Sequence, residues 1–218
     1  MNLYPVMINL KDRKTVMIGG GEVALRKTSD LLDSGAHVKV ISPEFHSDFA
    51  LLEADSQKSL QLVKRKYHPG DLQGAMMVFS ATNDPGVNRE VFEEATELNI
   101  LINAVDDPPN CSFYIPSMYR KGDLIMTLST SGASPSMAAR LRRTLEEHIP
   151  EDIDVILTAL REARELLKES SSFDQLDFNQ RGALLKDIVN REDLLEGLCT
   201  SCKEENLEEF LKSRVCEG

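Results

Sequence analysis

The chain has 218 residues, 41% of them hydrophobic and 28% charged, the composition of a globular protein with one large domain or one domain plus a smaller helical one. Its formal charge of −11 excludes general nucleic-acid binding, which needs a basic surface to release counterions. No apolar run reaches the ~20 residues that cross a bilayer, and Met1-Asn2-Leu3-Tyr4-Pro5 has neither the basic segment nor the apolar core of an export signal. The expected location is therefore cytoplasmic, without a membrane or nucleic-acid partner, and the four cysteines are expected as reduced thiols.

In chain order, Thr15-Val16-Met17-Ile18 is a short apolar run between Lys11-Asp12-Arg13-Lys14 and Gly19-Gly20-Gly21, which predicts a first buried strand. Glu22 to Ser34 carries Val23, Ala24, Leu31 and Leu32 at helical spacing. Gly35 is the natural left-handed terminator of that helix. His37 to Ser42 predicts a second strand, stopped by Pro43. Strand, glycine turn, helix and strand form a βαβ unit. Short strands are then predicted over Gln61 to Lys66, Ala75 to Ala81 and Ile100 to Val105. A helix is predicted over Pro85 to Leu98, with Asp84 as its N-cap. Alternating strands and helices predict an α/β fold with a mainly parallel, Rossmann-type sheet.

After Val105 the pattern changes. Asp106-Asp107-Pro108-Pro109-Asn110 is a loop by its prolines. Phe113 to Tyr119 and Leu124 to Ser129 predict two strands about the turn Arg120-Lys121-Gly122-Asp123, and Ser134-Pro135 opens a helix to about His148. From Glu151 the chain reads as helical, with a polar break at Ser170-Ser171-Ser172; 17 acids against 9 bases give this tail a net −8. The expected domains are 1–112 for the nucleotide, 113–150 as a strand pair and helix for dimerisation and substrate, and 151–218 as a helical domain.

Gly19-x-Gly21-x-x-Ala24 is a dinucleotide fingerprint. Gly19 permits the tight turn, Gly21 lets the backbone approach a pyrophosphate, and small Ala24 lets helix and strand pack closely. The helix N-terminus behind them offers N–H groups and partial positive charge to phosphates. The alternative is a glycine turn in an α/β sheet that binds nothing. The acid that usually meets the ribose is absent from the end of the second strand; Ser42 stands there and Glu44 follows. Either can reach the ribose, and no Arg lies nearby to receive a 2′-phosphate, which favours NAD over NADP.

The sequence resembles one family over about residues 3 to 150. The residues that carry the likeness are Tyr4-Pro5, Gly19-Gly20-Gly21-Glu22-Val23-Ala24 with Arg26-Lys27, Gly35-Ala36, Ser42-Pro43-Glu44, and Ala81-Thr82-Asn83-Asp84 with Asn88. Asn103-Ala104-Val105-Asp106-Asp107, Phe113 with Pro116, and Ser129-Thr130-Ser131-Gly132-Ala133-Ser134-Pro135 leading to Arg140 and Arg143 continue it. Together they look like precorrin-2 dehydrogenase, the first module of siroheme synthase. Ser131 departs from a usual Gly and Ala104 from a common Val, and neither removes a chemical group. The resemblance implies oxidation of precorrin-2 to sirohydrochlorin with NAD⁺, a homodimer, and in some members insertion of iron to give siroheme. It also implies cofactor contacts at Glu22, Val23, Pro43 and Glu44, to which the expected site adds Thr82, and it matches the catalytic carboxylate to Asp106.

The residues accommodate that chemistry. Residues 113–148 hold Arg120, Lys121, Arg140, Arg142 and Arg143 against Asp123, Glu146 and Glu147, a local excess of +2 suited to a tetrapyrrole with eight carboxylates. Arg120, Arg140, Ser129 and Thr130 are the expected substrate contacts. The bland reading makes these arginines a solvated helix face. Asp106 follows a buried strand at the edge where α/β sheets bind ligands, placed to take a proton or orient a pyrrole N–H; Asp107 reads as a loop cap. Cys199-x-x-Cys202 with Cys216 has no His in 151–218 to complete a tetrahedral set, so no metal centre is expected. Two rivals remain, an NAD-sensing module without chemistry and an enzyme that also inserts Fe²⁺.

Overall fold

The computed structural model describes residues 3–56 and 59–216. It divides into two compact units, Tyr4–Ile115 and a second that begins at Pro116. The first is a five-stranded sheet of β1 (Lys14–Ile18), β2 (His37–Ser42), β3 (Leu60–Lys64), β4 (Met77–Ser80) and β5 (Leu101–Ala104), in the order β3-β2-β1-β4-β5. Every neighbouring pair is parallel. Helices α1 (Glu22–Asp33), α2 (Phe49–Asp55) and α3 (Pro85–Glu97) connect them. The chain reverses direction across the sheet between β1 and β4, which makes the carboxyl ends of those two strands the switch point where such folds take ligands.

Both faces of the sheet are covered, so its strands read as apolar runs. Met17, Val38, Val40 and Phe79 pack with Ala24 and Leu31 of α1. Val16, Ile18, Ile41, Val78 and Ile102 face the other way, onto Val91 and Ala95 of α3. The expected helix signals operate as read. The Asp84 side chain accepts from the N–H groups of Gly86 and Val87 at 2.9 and 3.3 Å, with Pro85 opening α3. Gly35, at φ +79°, closes α1 by donating to the Leu32 carbonyl at 2.8 Å.

A buried polar knot ties β2 to the segment after β3. Asp71, whose side chain is 6% exposed, accepts from Arg65 at 2.6 and 2.7 Å, from Lys39 Nζ at 3.0 Å and from the His68 N–H at 3.0 Å. The Arg65 guanidinium, ahead of His68 and Lys39, holds this carboxyl below the usual carboxylate range. Because the folded pKa is depressed, its contribution is complete above the ordinary Asp value of about 3.9 and is lost as pH falls below it. Asp71→Asn is expected to cost about 1.5–3 kcal/mol at neutral pH, the range for hydrogen bonds to charged groups. It should also flatten the acid limb of the stability curve; urea melts at pH 7 and pH 3 check both, and an unchanged acid limb refutes the assignment.

In the second unit β6 (Ser117–Lys121) and β7 (Leu124–Leu128) form an antiparallel ribbon, followed by α4 (Pro135–Glu146). Helices α5 (Ile153–Glu169), α6 (Phe178–Asn190), α7 (Glu192–Lys203) and α8 (Leu207–Cys216) share a core of Ala159, Ala163, Leu167, Phe173, Ile188, Leu198 and Leu211. The ribbon's first strand begins at Ser117, later than the expected Phe113. Residues 113–116 are engaged otherwise: Phe113 meets Phe79 edge to face at 5.4 Å, and the Tyr114 hydroxyl donates to the Pro108 carbonyl at 3.1 Å. The turn is also tighter than expected, only Gly122 and Asp123, with Gly122 at φ +54°. Sequence reading gave no signal for α2, which is short and buries only Phe49.

Candidate functional site

The three glycines after β1 do three different jobs. Gly19 has φ +115°, and a Cβ there would lie 2.2 Å from the Ala81 carbonyl oxygen, so only glycine lets the turn pass the end of β4. At Gly20 a Cβ would lie 2.3 Å from the Glu44 oxygen and 2.9 Å from the Ser42 Cβ. Gly20, which the fingerprint leaves as any residue, thus brings the loop after β2 against the turn. Gly21 is the N-cap of α1, in an extended conformation open to any residue, with no side-chain cap bond and nothing within 4 Å of a built Cβ. Leu25 is the first residue of α1 to donate into the helix, to the Gly21 carbonyl at 2.9 Å. The N–H groups before it have no intrahelical partner, and they lie behind an open approach.

Around this turn the expected cofactor residues divide by role. Ala24 is fully buried and acts in packing, while Glu22 and Val23 are exposed in the first turn. Ser42 is 6% exposed and donates to the Glu44 carbonyl at 2.6 Å. It holds the loop in which Pro43 and Glu44 are exposed. Thr82 stands at the end of β4, but its hydroxyl is engaged: it donates to Asn88 Oδ1 at 2.7 Å and accepts from the Asp84 N–H at 3.2 Å. Asn88 also accepts from Ser80 Oγ at 2.7 Å and donates to the Thr82 carbonyl at 3.1 Å. It is the residue that fixes the loop, and sequence reading gave it no role.

Beyond β5 the two aspartates separate. Asp107 accepts from Asn110 Nδ2 at 2.7 Å and so ties the loop. Asp106 is exposed at φ +59°, and no described residue hydrogen-bonds or ion-pairs its carboxylate. Cys111 pins the loop to β5, its thiol donating to the Ala104 carbonyl and accepting from the Ala104 N–H, both at 3.2 Å. Burial pushes this thiol pKa up.

In the second unit, Thr130 Oγ1 accepts from the Ser134 N–H at 3.0 Å and donates to the Ser134 carbonyl at 3.1 Å. Ser129 Oγ accepts from the Ser131 N–H at 3.1 Å, which leaves its own hydrogen for another partner. Ser134 caps α4 by accepting from Met137 N–H at 3.2 Å. Ser131 sits at φ +52°, where an L-residue costs about 1–2 kcal/mol over glycine; this is the position where the resembling family carries Gly. Some of the charged groups of this segment are engaged within the protein. Arg142 pairs with Glu146, Lys121 donates to the Glu151 carbonyl, and Arg161 takes Asp123. Arg120, Arg140 and Arg143 are exposed, with no ion pair among the described residues. Cys202 donates to Glu162 at 3.0 Å, and that bond pushes its pKa up to about 11. The Cys216 side chain lies outside the described residues.

The chain is 36% identical over 200 residues to a siroheme synthase of Methylobacillus flagellatus, covering 90% of this chain and 42% of that protein. It is 39% identical over 150 residues to siroheme synthase 1 of Cronobacter sakazakii, covering 69% and 31%. The chain thus spans less than half the length of these relatives. The solved structure of SirC, precorrin-2 dehydrogenase, superposes with a TM-score of 0.77 at 26% identity, over 97% of this chain and 98% of that one. With residues 6–117 matching, the chain belongs to the family described as "Putative NAD(P)-binding".

Proposed function

We propose that the protein oxidises precorrin-2 to sirohydrochlorin in siroheme biosynthesis, reducing NAD⁺ to NADH and releasing one proton. One observation carries the reading. An uncapped helix start, opened by Gly21, and an unpartnered carboxylate on Asp106 stand at the carboxyl ends of strands in one parallel sheet. The first fits a pyrophosphate, because an open approach, free N–H groups and a helix dipole are what that group needs. When bound, NAD⁺ supplies the hydride acceptor. Gly19, Gly21, Glu22, Val23 and Ala24 shape its phosphate site, with Thr82 at the neighbouring strand end. Ser42 and Pro43 present the Glu44 carboxylate to the ribose hydroxyls, and the absence of an Arg in that loop favours NAD over NADP. Asp106 takes the departing proton or orients a pyrrole N–H, while Arg120, Arg140, Ser129 and Thr130 bind the macrocycle and its carboxylates. Likeness to SirC over nearly the full length of both chains supports the substrate, and a cytoplasmic location follows from the cofactor pool it would use.

The test is to mix the protein with precorrin-2 and NAD⁺ and follow absorbance. NADH and sirohydrochlorin should appear in equal amounts. NAD⁺ binding without turnover would replace this reading with the sensing module. Adding Fe²⁺ to the product then decides whether metal insertion occurs as well.

We also infer a homodimer built through the second unit. Met137, Leu141 and Leu145 follow one another at helical spacing on α4 and are 44–46% exposed; on the ribbon, Met118 and Ile125 are 39% and 38% exposed. A two-stranded ribbon is marginal alone, and an exposed apolar row of this kind marks an interaction surface. Leu141→Glu is expected to convert a dimer to a monomer in sedimentation or light scattering, with the melting of the first unit unchanged. A wild-type chain that is already monomeric at micromolar concentration refutes the inference.

A further inference from the structure

Lys27 is a charge on the core side of its helix. The buried residues of α1 are Ala24, Thr28 and Leu31. Lys27 stands three places after the first and four before the last, on the edge of the stripe that meets the sheet. Its Nζ lies 5.2 Å from the centroid of the Phe79 ring, which is 2% exposed and itself meets Phe113. The side chain is half-buried, and among the described residues nothing accepts a hydrogen bond from the ammonium or forms an ion pair with it. The charged and titratable groups that act on it are Arg26 and Asp30 from its own helix, and Cys111 and Asp106 from the loop beyond β5.

An ammonium has three donors and no acceptor. Half-desolvating that charge is unfavourable, and contact with one aromatic face offsets only part of the cost. A long side chain that only covered apolar surface would carry its charged head out to water. Burial, and after it Arg26, push the pKa of this one below its ordinary value against the upward pull of Asp30, Cys111 and Asp106, none of which reaches the ammonium with a hydrogen bond or ion pair. The phosphate site is at the start of α1. Lys27 lies in its second turn, with its ammonium toward Phe79 of β4 and the loop that carries Asp106.

We propose that the Lys27 ammonium receives a carboxylate of the tetrapyrrole and so anchors the macrocycle beside Asp106. This rests on the precorrin-2 reading above, which supplies an octacarboxylate. The chemistry recognised is a single carboxylate on a flat, apolar ring system, charge on charge beside a phenyl face.

The decisive variant is Lys27→Met, which keeps an unbranched stem over Phe79 and cannot bond a carboxylate. Titration of the product sirohydrochlorin without cofactor should show binding about 10- to 100-fold weaker than wild type, the range of a charge-assisted hydrogen bond. KM for precorrin-2 should rise in parallel, with NAD⁺ affinity and melting temperature unchanged, and Lys27→Arg should recover part of the loss. Product affinity equal to wild type overturns the proposal, as does a loss confined to NAD⁺ affinity or to melting temperature. In both cases a wild type that still oxidises precorrin-2 leaves the functional reading standing. A wild type that neither binds sirohydrochlorin nor reduces NAD⁺ with precorrin-2 overturns that reading, and this inference with it.

Discussion

Gly21→Asp is expected to abolish NAD⁺ binding while leaving the protein at least as stable as before. The backbone at Gly21, φ −80° and ψ −174°, accepts any L-residue, and a Cβ there meets nothing within 4 Å. Asp is also among the better N-caps, worth about 1 kcal/mol over a residue that caps nothing, though only a few tenths over Gly. On stability alone Asp would therefore be acceptable at this position. Its carboxylate would occupy the approach to the free N–H groups and face a pyrophosphate of like sign. Two unit charges about 4 Å apart repel by about 4 kcal/mol in a surface site, on the order of a 10³-fold loss of affinity. Calorimetry with NAD⁺, beside a thermal melt, reads both quantities. Unchanged affinity would remove the phosphate site from this turn. Gly19→Ala is the control, because its side chain would collide with the Ala81 carbonyl and should lower the melting temperature itself.

That contrast shows which parts of the molecule were legible in the sequence. A parallel sheet buried on both faces leaves uninterrupted apolar runs such as Thr15–Ile18, so the strands and their parallel sense could be read from the alternation with helices, while their order across the sheet could not. The fingerprint located Gly19 and Gly21 because backbone demands at those positions exclude side chains. Gly20 was silent, since its partner is the loop after β2, far away in sequence and fixed only by folding. Asn88 entered only through the resemblance and without a role, because its value lies in joining Ser80 to Thr82, which no spacing rule encodes. The start of β6 was misplaced because Phe113 and Tyr114 have strand-like composition while their contacts are Phe79 of β4 and Pro108 in the turn after β5. Lys27 did leave a trace, a charged residue at a core-facing helical position. Such a break in the apolar pattern is a pointer to function when no side chain bonds the charge directly.

Asp106→Asn is expected to slow precorrin-2 oxidation by about 10²- to 10⁴-fold, the contribution of a general base or its electrostatic equivalent, with NAD⁺ affinity unchanged. The loop should survive the substitution. Its shape depends on Asp107, which accepts from Asn110, and on Cys111, which is bonded to Ala104; Asp106 has no such duty. Asn tolerates the left-handed backbone at φ +59° as well as Asp does, so the variant changes charge and basicity alone. Asp106→Gly sharpens the test. Glycine relieves whatever strain the positive φ imposes and should not lower the melting temperature, yet it must lose the same activity if the carboxylate is what matters. An L-residue held in this region, with its side chain unpartnered at the carboxyl edge, is the kind of local cost that persists where function requires it. Wild-type turnover in Asp106→Asn would make the residue a turn former and remove it from the chemistry. If oxidation persists while insertion of Fe²⁺ into the product is lost, the carboxylate serves metal delivery instead.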